Sequence, residues 1–259
     1  MNILEEIAAY AKKRVEFAKS KIPLSKMTNQ ALALEKGEFN FYKALKKEGL
    51  SFILECKKAS PSKGLIANSF PYLEIAQEYE QAGADCISVL TEPKWFLGSD
   101  NYLKEIANQV NLPCLRKDFL IDEYMIYEAK LLNASAILLI CSLLDEKQLK
   151  DYLDISESLG LSALVEAHNE REVEKALKVE VKIIGVNNRN LKNFSVDILN
   201  SQNLRKLIPQ DIIFVSESGI KTREEVKNLE NIGVNAVLIG EAMMLAEDKK
   251  AKFRELSGK

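Results

Sequence analysis

Asn133-Ala-Ser-Ala136-Ile-Leu-Leu-Ile-Cys141 is the stretch that decides the fold. An asparagine ends a helix in the left-handed conformation, an apolar residue tucks back, and a small residue starts the strand. The strand that follows is continuously apolar rather than alternating, the pattern of a parallel strand covered on its outside by helices. The same punctuation stands before three more strand candidates, at Gly83-Ala84-Asp85-Cys86, Gly160-Leu161-Ser162-Ala163 and Gly233-Val234-Asn235-Ala236. Working outward, the strand candidates are Phe52–Cys56, Cys86–Leu90, Pro113–Lys117, Ala136–Cys141, Ala163–Glu166, Ile183–Asn187, Ile212–Ser216 and Ala236–Ile239. Helical patterns separate them. Tyr72, Ile75, Ala76, Tyr79 and Ala82 form an apolar face after Ser69-Phe70-Pro71, and Thr222-Arg-Glu-Glu225 reads as a capping box ahead of Val226, Leu229 and Ile232. About eight strand–helix units, roughly 20 to 35 residues apart, fill the chain from residue 50 onward. That predicts a (β/α)8 TIM barrel of the α/β class rather than an open doubly wound sheet.

Residues 1–48 stand outside this rhythm. Ile3, Leu4, Ile7, Ala8 and Ala11 share one helical face, and a basic stretch leads to Phe39-Asn-Phe-Tyr-Lys-Ala-Leu45. The prediction is a single domain over 1–259, with a helical extension (1–48) packed on one end of a barrel (49–259). From the pattern alone, the extension reads equally well as a plain cap with no part in binding.

Composition removes whole classes of function. With 259 residues, 47% of them hydrophobic, the chain can bury a large core. Lys+Arg 36 against Asp+Glu 38 leaves a net charge of -2, without the excess that binding nucleic acid by bulk electrostatics needs. The longest apolar run, Ala136 to Leu144 broken by Ser142, is too short to span a bilayer. The first residues, Met-Asn-Ile-Leu-Glu-Glu, carry acids where a signal peptide carries positive charge. A soluble, cytoplasmic protein is expected, with no membrane or nucleic-acid partner, acting as a monomer or weak homodimer.

Cys56, Cys86, Cys114 and Cys141 form no C-x-x-C pair, and each lies in or beside an apolar run, so they read as buried thiols rather than a zinc site. His168 is the single histidine, so H-E-x-x-H is impossible and a Ser-His-Asp triad would rest on it alone. Neither G-x-x-x-x-G-K-[ST] nor G-x-G-x-x-G occurs. Proton transfers must therefore come from Lys, Glu or Asp.

In a (β/α)8 barrel the active site lies at the carboxyl ends of the strands. Those ends carry Glu55 and Lys57, Thr91-Glu92, Lys117-Asp118, Ser142, Glu166, Asn187-Asn188-Arg189, Glu217-Ser218-Gly219 and Gly240-Glu241. A lone charge at a strand exit usually just opens a solvated loop. Lys117 differs, because Cys114-Leu-Arg-Lys117-Asp-Phe-Leu120 sets it inside an apolar run, where a lysine is costly unless paired or lowered in pKa. Two lysines and two glutamates around one mouth supply acids and bases without histidine. Ser216-Glu217-Ser218-Gly219 and Ile239-Gly240-Glu241, after the last two strands, suit a phosphate, since glycine lets backbone amides approach an anion.

The stretch Ile53-Leu-Glu55-Cys-Lys57-Lys-Ala-Ser60-Pro61-Ser62-Lys63-Gly64 resembles the E-x-K-x-x-S-P-S signature of the indole-3-glycerol phosphate synthase family. Lys117-Asp118-Phe119, Leu164-Val-Glu166-Ala-His168, Gly185-Val-Asn187-Asn-Arg189-Asn-Leu191 and Glu217-Ser218-Gly219-Ile220 resemble further family motifs in the same order. Thr91-Glu92 with Phe96-Leu-Gly98-Ser99 is similar to its second-strand loop, and the N-terminal helix to its extra segment over the active-site face. Cys56 and His168 stand between motif residues. The resemblance implies ring closure of 1-(2-carboxyphenylamino)-1-deoxy-D-ribulose 5-phosphate with loss of CO2 and water, in tryptophan biosynthesis, with no metal or other cofactor. It implies catalytic roles for Lys117, Glu166, Lys57, Glu55 and Asn187, with the acid roles of the two lysines undivided. Ser60, Arg189, Glu217 and Ser218 would contact the substrate. Ser218, Gly219, Gly240 and Glu241 would surround the phosphate. Phe96, Phe119 and Leu138 are candidates to sandwich the aromatic ring and read equally as plain core.

Two rivals remain on the sequence. A phosphoribosyl isomerase-type phosphate-binding barrel keeps the Gly219 and Gly240 loops but leaves Glu55, Lys57, Lys117 and Glu166 without a joint task. A catalytically inactive barrel scaffold would have little reason to carry every charge that this chemistry asks for.

Overall fold

A computed structural model describes residues 2–190 and 195–258; Leu191 of the sixth-strand motif lies outside them. Eight parallel strands close a barrel in chain order. They are β1 (Ser51–Cys56), β2 (Cys86–Leu90), β3 (Cys114–Lys117), β4 (Ala136–Ile140), β5 (Ser162–Ala167), β6 (Ile183–Asn187), β7 (Ile213–Glu217) and β8 (Ala236–Ile239). Closure is made by β1 on β8, with Ser51 paired to Ala236 and Leu54 to Ile239. The expected repeat punctuation is present: Gly83, Asn133, Gly160 and Gly233 all take positive φ where a helix ends. The capping box at Thr222 and Glu225 is formed as well.

The strands read as continuously apolar because both of their faces are buried. Along β4, Ala136, Leu138 and Ile140 point into the barrel, while Ile137 and Leu139 meet the surrounding helices. Those helices are α4 (Tyr72–Ala82), α5 (Asp100–Gln109), α6 (Tyr124–Leu131), α7 (Glu146–Leu159), α8 (Glu170–Lys178), α9 (Leu199–Arg205), α10 (Arg223–Asn231), α11 (Glu241–Met244) and α12 (Lys249–Ser257). All four cysteines are free and buried. Among the described residues, no helix is long and apolar enough to cross a membrane.

The extension supplies α1 (Ile3–Lys21), α2 (Leu24–Leu32) and α3 (Asn40–Leu45). Helix α1 runs along the carboxyl-end face. Arg14 makes a bidentate pair with Asp118, just past β3, at 2.7 and 3.1 Å, and Tyr10 stands edge-on to Trp95 in the loop after β2. Helix α3 does a second task, closing the opposite end. Its Tyr42 N–H donates to Ser162 Oγ at the start of β5, and Phe41 and Leu45 fill the inner core there. The Gly37 and Gly160 backbones abut so closely that a Cβ on either would clash, which ties the extension to the barrel floor.

Candidate active site

At the carboxyl ends of the strands, the inward-facing residues change from apolar to charged. The last inward positions of β1, β3, β5, β6 and β7 are Glu55, Lys117, Glu166, Asn187 and Glu217. They line a cavity of about 580 Å³. Lys57, Ser60, Phe96, Phe119, Leu138, Arg189, Ser218, Gly219, Gly240 and Glu241 line the same cavity, so every site residue expected from the sequence is brought to one place.

Lys117 is held by pairing. Its Nζ lies 3.3 Å from Glu166 Oε2 and 3.5 Å from Glu217 Oε2. Burial works against the ammonium, but Glu166, Glu217 and Glu55 outweigh it and raise the pKa above the ordinary lysine value. The group is therefore a standing cation. Of the two ways to keep a lysine in an apolar run, the structure uses the partner and not the lowered pKa. Glu217 carries the opposite cost: burial pushes its carboxyl up to about 7 against the pull of Lys117, and the negative charge of Glu166 pushes the same way. Gly185 on β6 makes room for it, since a Cβ there would overlap Glu217 Oε1.

Across the mouth, Lys57 Nζ donates to Glu55 Oε1 at 2.6 Å, and Ser88 Oγ to Glu55 Oε2 at 3.4 Å. Burial raises the Glu55 pKa, but Lys57 and Lys117 overcome it and keep the carboxylate ionised. A Cβ on Gly240 would stand 2.5 Å from Glu55 Oε1 and 2.9 Å from Lys57 Nζ. A side chain at 240 is thus expected to disturb this pair as well as the approach of an anion.

Asn187 Oδ1 accepts from the Arg189 N–H at 3.0 Å and fixes the turn that carries Arg189 over the mouth. Arg189 Nη1 donates to Ser62 Oγ at 3.0 Å, and its Nη2 lies 3.7 Å from Glu241 Oε2. Lys63 approaches the other oxygen of Glu241 at 3.4 Å. Ser218 and Gly219 both have positive φ, which turns the chain sharply after β7 at the cavity edge. The Phe96 and Phe119 rings, 5.9 Å apart and tilted by 40°, form an apolar wall with Leu138.

A model of the indole-3-glycerol phosphate synthase family matches residues 4–256. The chain belongs to that family. Membership makes it a carboxy-lyase of tryptophan biosynthesis. The family's enzyme from Ruminiclostridium cellulolyticum is 55% identical over 99% of this chain and 99% of its own. That from Endomicrobium trichonymphae is 54% identical over 98% and 99%. Among solved structures, 3-hexulose-6-phosphate synthase from Salmonella typhimurium aligns with a TM-score of 0.67 at 14% identity, covering 81% of this chain and 97% of that one. At that identity it speaks for the shared barrel alone.

The structure also engages residues to which the sequence assigned no role. Asp118, next to Lys117, is fully buried; besides Arg14 it accepts from Thr91 Oγ1 at 2.8 Å. Arg116, also buried, is clamped by Asp100 and Glu128. Glu92 accepts from the backbone N–H groups of Lys94, Trp95 and Phe96, which shapes the loop that presents Phe96. His168 faces Glu166 from behind. Arg14 left no mark in the sequence, because a surface-type arginine 104 residues away gives no clue to its partner.

Proposed function

We propose that the cavity closes 1-(2-carboxyphenylamino)-1-deoxy-D-ribulose 5-phosphate to indole-3-glycerol phosphate, with Lys117 as the acid that starts the reaction. The observation that carries this assignment is a buried ammonium flanked by two carboxylates, in a cavity that an aromatic wall also lines. Ring closure needs a proton donor at the substrate ketone, because the carbon bearing the carboxylate attacks that carbonyl and leaves negative charge on its oxygen. Lys117 gives that proton, and the attacking ring is left as an iminium ion. Loss of CO2 returns the electron pair and restores aromaticity. The new hydroxyl then leaves as water, with a proton from Lys57, while Glu166 accepts the proton that the five-membered ring gives up.

Glu55 holds Lys57 in place and contacts the sugar hydroxyls, as does Asn187. Ser60 and Arg189 position the carboxylate, and Glu217 lies against the reacting carbons. The wall of Phe96, Phe119 and Leu138 packs against the aromatic ring. The phosphate rests on the backbone of Ser218, Gly219 and Gly240 beside Glu241, with Lys63 nearby as a counter-charge. The chemistry runs without metal or organic cofactor, in the cytoplasm, on a phosphorylated small molecule. The chain works as a monomer or weak homodimer.

The test is direct. Purified protein with the carboxyphenylamino-deoxyribulose phosphate and a chelator should give rising indole fluorescence. No rise from a folded protein that still binds substrate would mean an inactive barrel, and no binding would return the isomerase reading.

A further inference from the structure

His168 is the one histidine in the chain, and it stands directly after β5, two residues beyond Glu166. Its Nε2 lies 3.4 Å from Glu166 Oε1 and its Nδ1 3.3 Å from Glu172 Oε2. The backbone N–H of His168 donates to the same Glu172 oxygen at 2.8 Å. Glu172 is itself fixed, since Asn169 Nδ2 donates to its other oxygen at 2.9 Å. Asn200 Nδ2 holds the His168 carbonyl at 3.2 Å. The ring is therefore anchored from α8 and α9, with one nitrogen aimed at the back of the active-site glutamate. Among the described residues neither Glu166 Oε1 nor His168 Nε2 makes a hydrogen bond, so each has only the other's charge at close range.

The result is a row of alternating charge from helix to cavity: Glu172, His168, Glu166, Lys117, Glu217. We infer that His168 is a positioning residue for Glu166: anchored by Glu172, it faces one oxygen of the Glu166 carboxylate and leaves the other oxygen turned to Lys117. This rests on the reading of Glu166 as the proton acceptor. An imidazole can orient Glu166 in either protonation state, and a protonated one attracts the carboxylate more strongly.

The surroundings favour the protonated ring. Burial disfavours it, but the hydrogen bond to Glu172 and the charges of Glu166, Glu172 and Glu217 prevail and raise its pKa. Of the other groups packed nearby, Lys175 on α8 is turned onto the carbonyls of Cys141 and Leu144. Cys141, at the end of β4, is a neutral thiol that burial has pushed up to about 12. Lys117 stands on the far side of Glu166.

A single histidine gives a single imidazole signal, so its protonation can be followed by NMR without assignment. The midpoint is expected above the ordinary 6.5, falling by about one pH unit in Glu166→Gln and in Glu172→Gln, each of which removes a close negative charge. In steady-state assays His168→Gln should lower kcat by about tenfold, because the carboxylate loses the contact that orients it. KM should change by less than about twofold, because His168 does not line the cavity. An unchanged kcat in the folded variant, or a KM that moves with it, overturns the inference, as does an imidazole midpoint indifferent to Glu166→Gln. If Glu166→Gln abolishes turnover while that midpoint stays put, the positioning role fails and the acceptor role stands. If the midpoint falls but turnover persists, the acceptor role has failed.

Discussion

Lys117 is pulled one way by burial and the other by two carboxylates, and the balance decides what it can do. Kept cationic, it is a proton donor and an electrostatic clamp for a developing oxyanion, and it cannot serve as a base. Lys117→Ala is expected to cut turnover by about 10² or more while the barrel stays folded, as measured by steady-state rates beside circular dichroism. Near-normal turnover in a folded variant would move the role to Lys57. Glu217 gives a prediction of a different kind. Its folded pKa of about 7 stands above the ordinary 4.5, so its ionisation destabilises the fold. Wild-type stability should therefore fall as pH rises from about 4.5 through about 7. Glu217→Gln, which mimics the neutral acid, should match wild type near pH 4 and exceed it by about 3 kcal/mol at pH 8, although it slows catalysis. Urea unfolding at the two pH values checks this, and equal stability at both would place the carboxyl in an ordinary environment.

Among the elements, the eight strands were legible nearly to the residue, each observed bound falling within one residue of its expected one. The reason is physical. A strand buried on both faces must be continuously apolar, and the turn before it needs a positive φ that glycine and asparagine supply cheaply. The site was legible for the same reason, since a charge at the end of such a run has no purpose in the core. What stayed hidden depends on contacts between distant elements. The two tasks of the extension could not be read, because the apolar faces of α1 and α3 look alike in sequence and only the closed barrel gives them different ends to cover. Arg14 on α1 is the clearest case. It holds the fully buried Asp118, whose pKa burial raises but Arg14 brings below the ordinary value. Arg14→Ala should cost about 2 kcal/mol or more, tempered by the remaining bonds from Thr91 and the Phe119 N–H. The loss should be full at neutral pH and shrink as acid protonates Asp118. Because Asp118 adjoins Lys117, turnover should also fall severalfold. A stability loss with unchanged kcat would make α1 a brace for the fold and nothing more.

For the whole molecule, the barrel separates stability from chemistry along its axis. The carboxyl end accepts like charges at close range, a raised glutamate pKa and paired lysines under burial, each unfavourable to the fold taken alone. The amino end carries no buried charged side chain among the described residues. It is closed by α3, whose Phe41 is wholly buried among the first inward residues of the strands and lies outside the residues that line the cavity. An aromatic side chain so placed fills space that no neighbour can easily reclaim, because rigid strands surround it on one side and the short α3 backbone on the other. Phe41→Ala should therefore cost about 3 to 5 kcal/mol, as lost transfer energy and a residual cavity together. It should leave kcat and KM within about twofold of wild type under conditions where the variant is folded. Denaturant unfolding and steady-state kinetics on the same preparation make the comparison. If kcat falls along with stability, the floor of the barrel transmits strain to the mouth through the closely packed interior, and the separation does not hold. If stability barely changes, the space beneath the strands is loose and α3 is a lid rather than a plug.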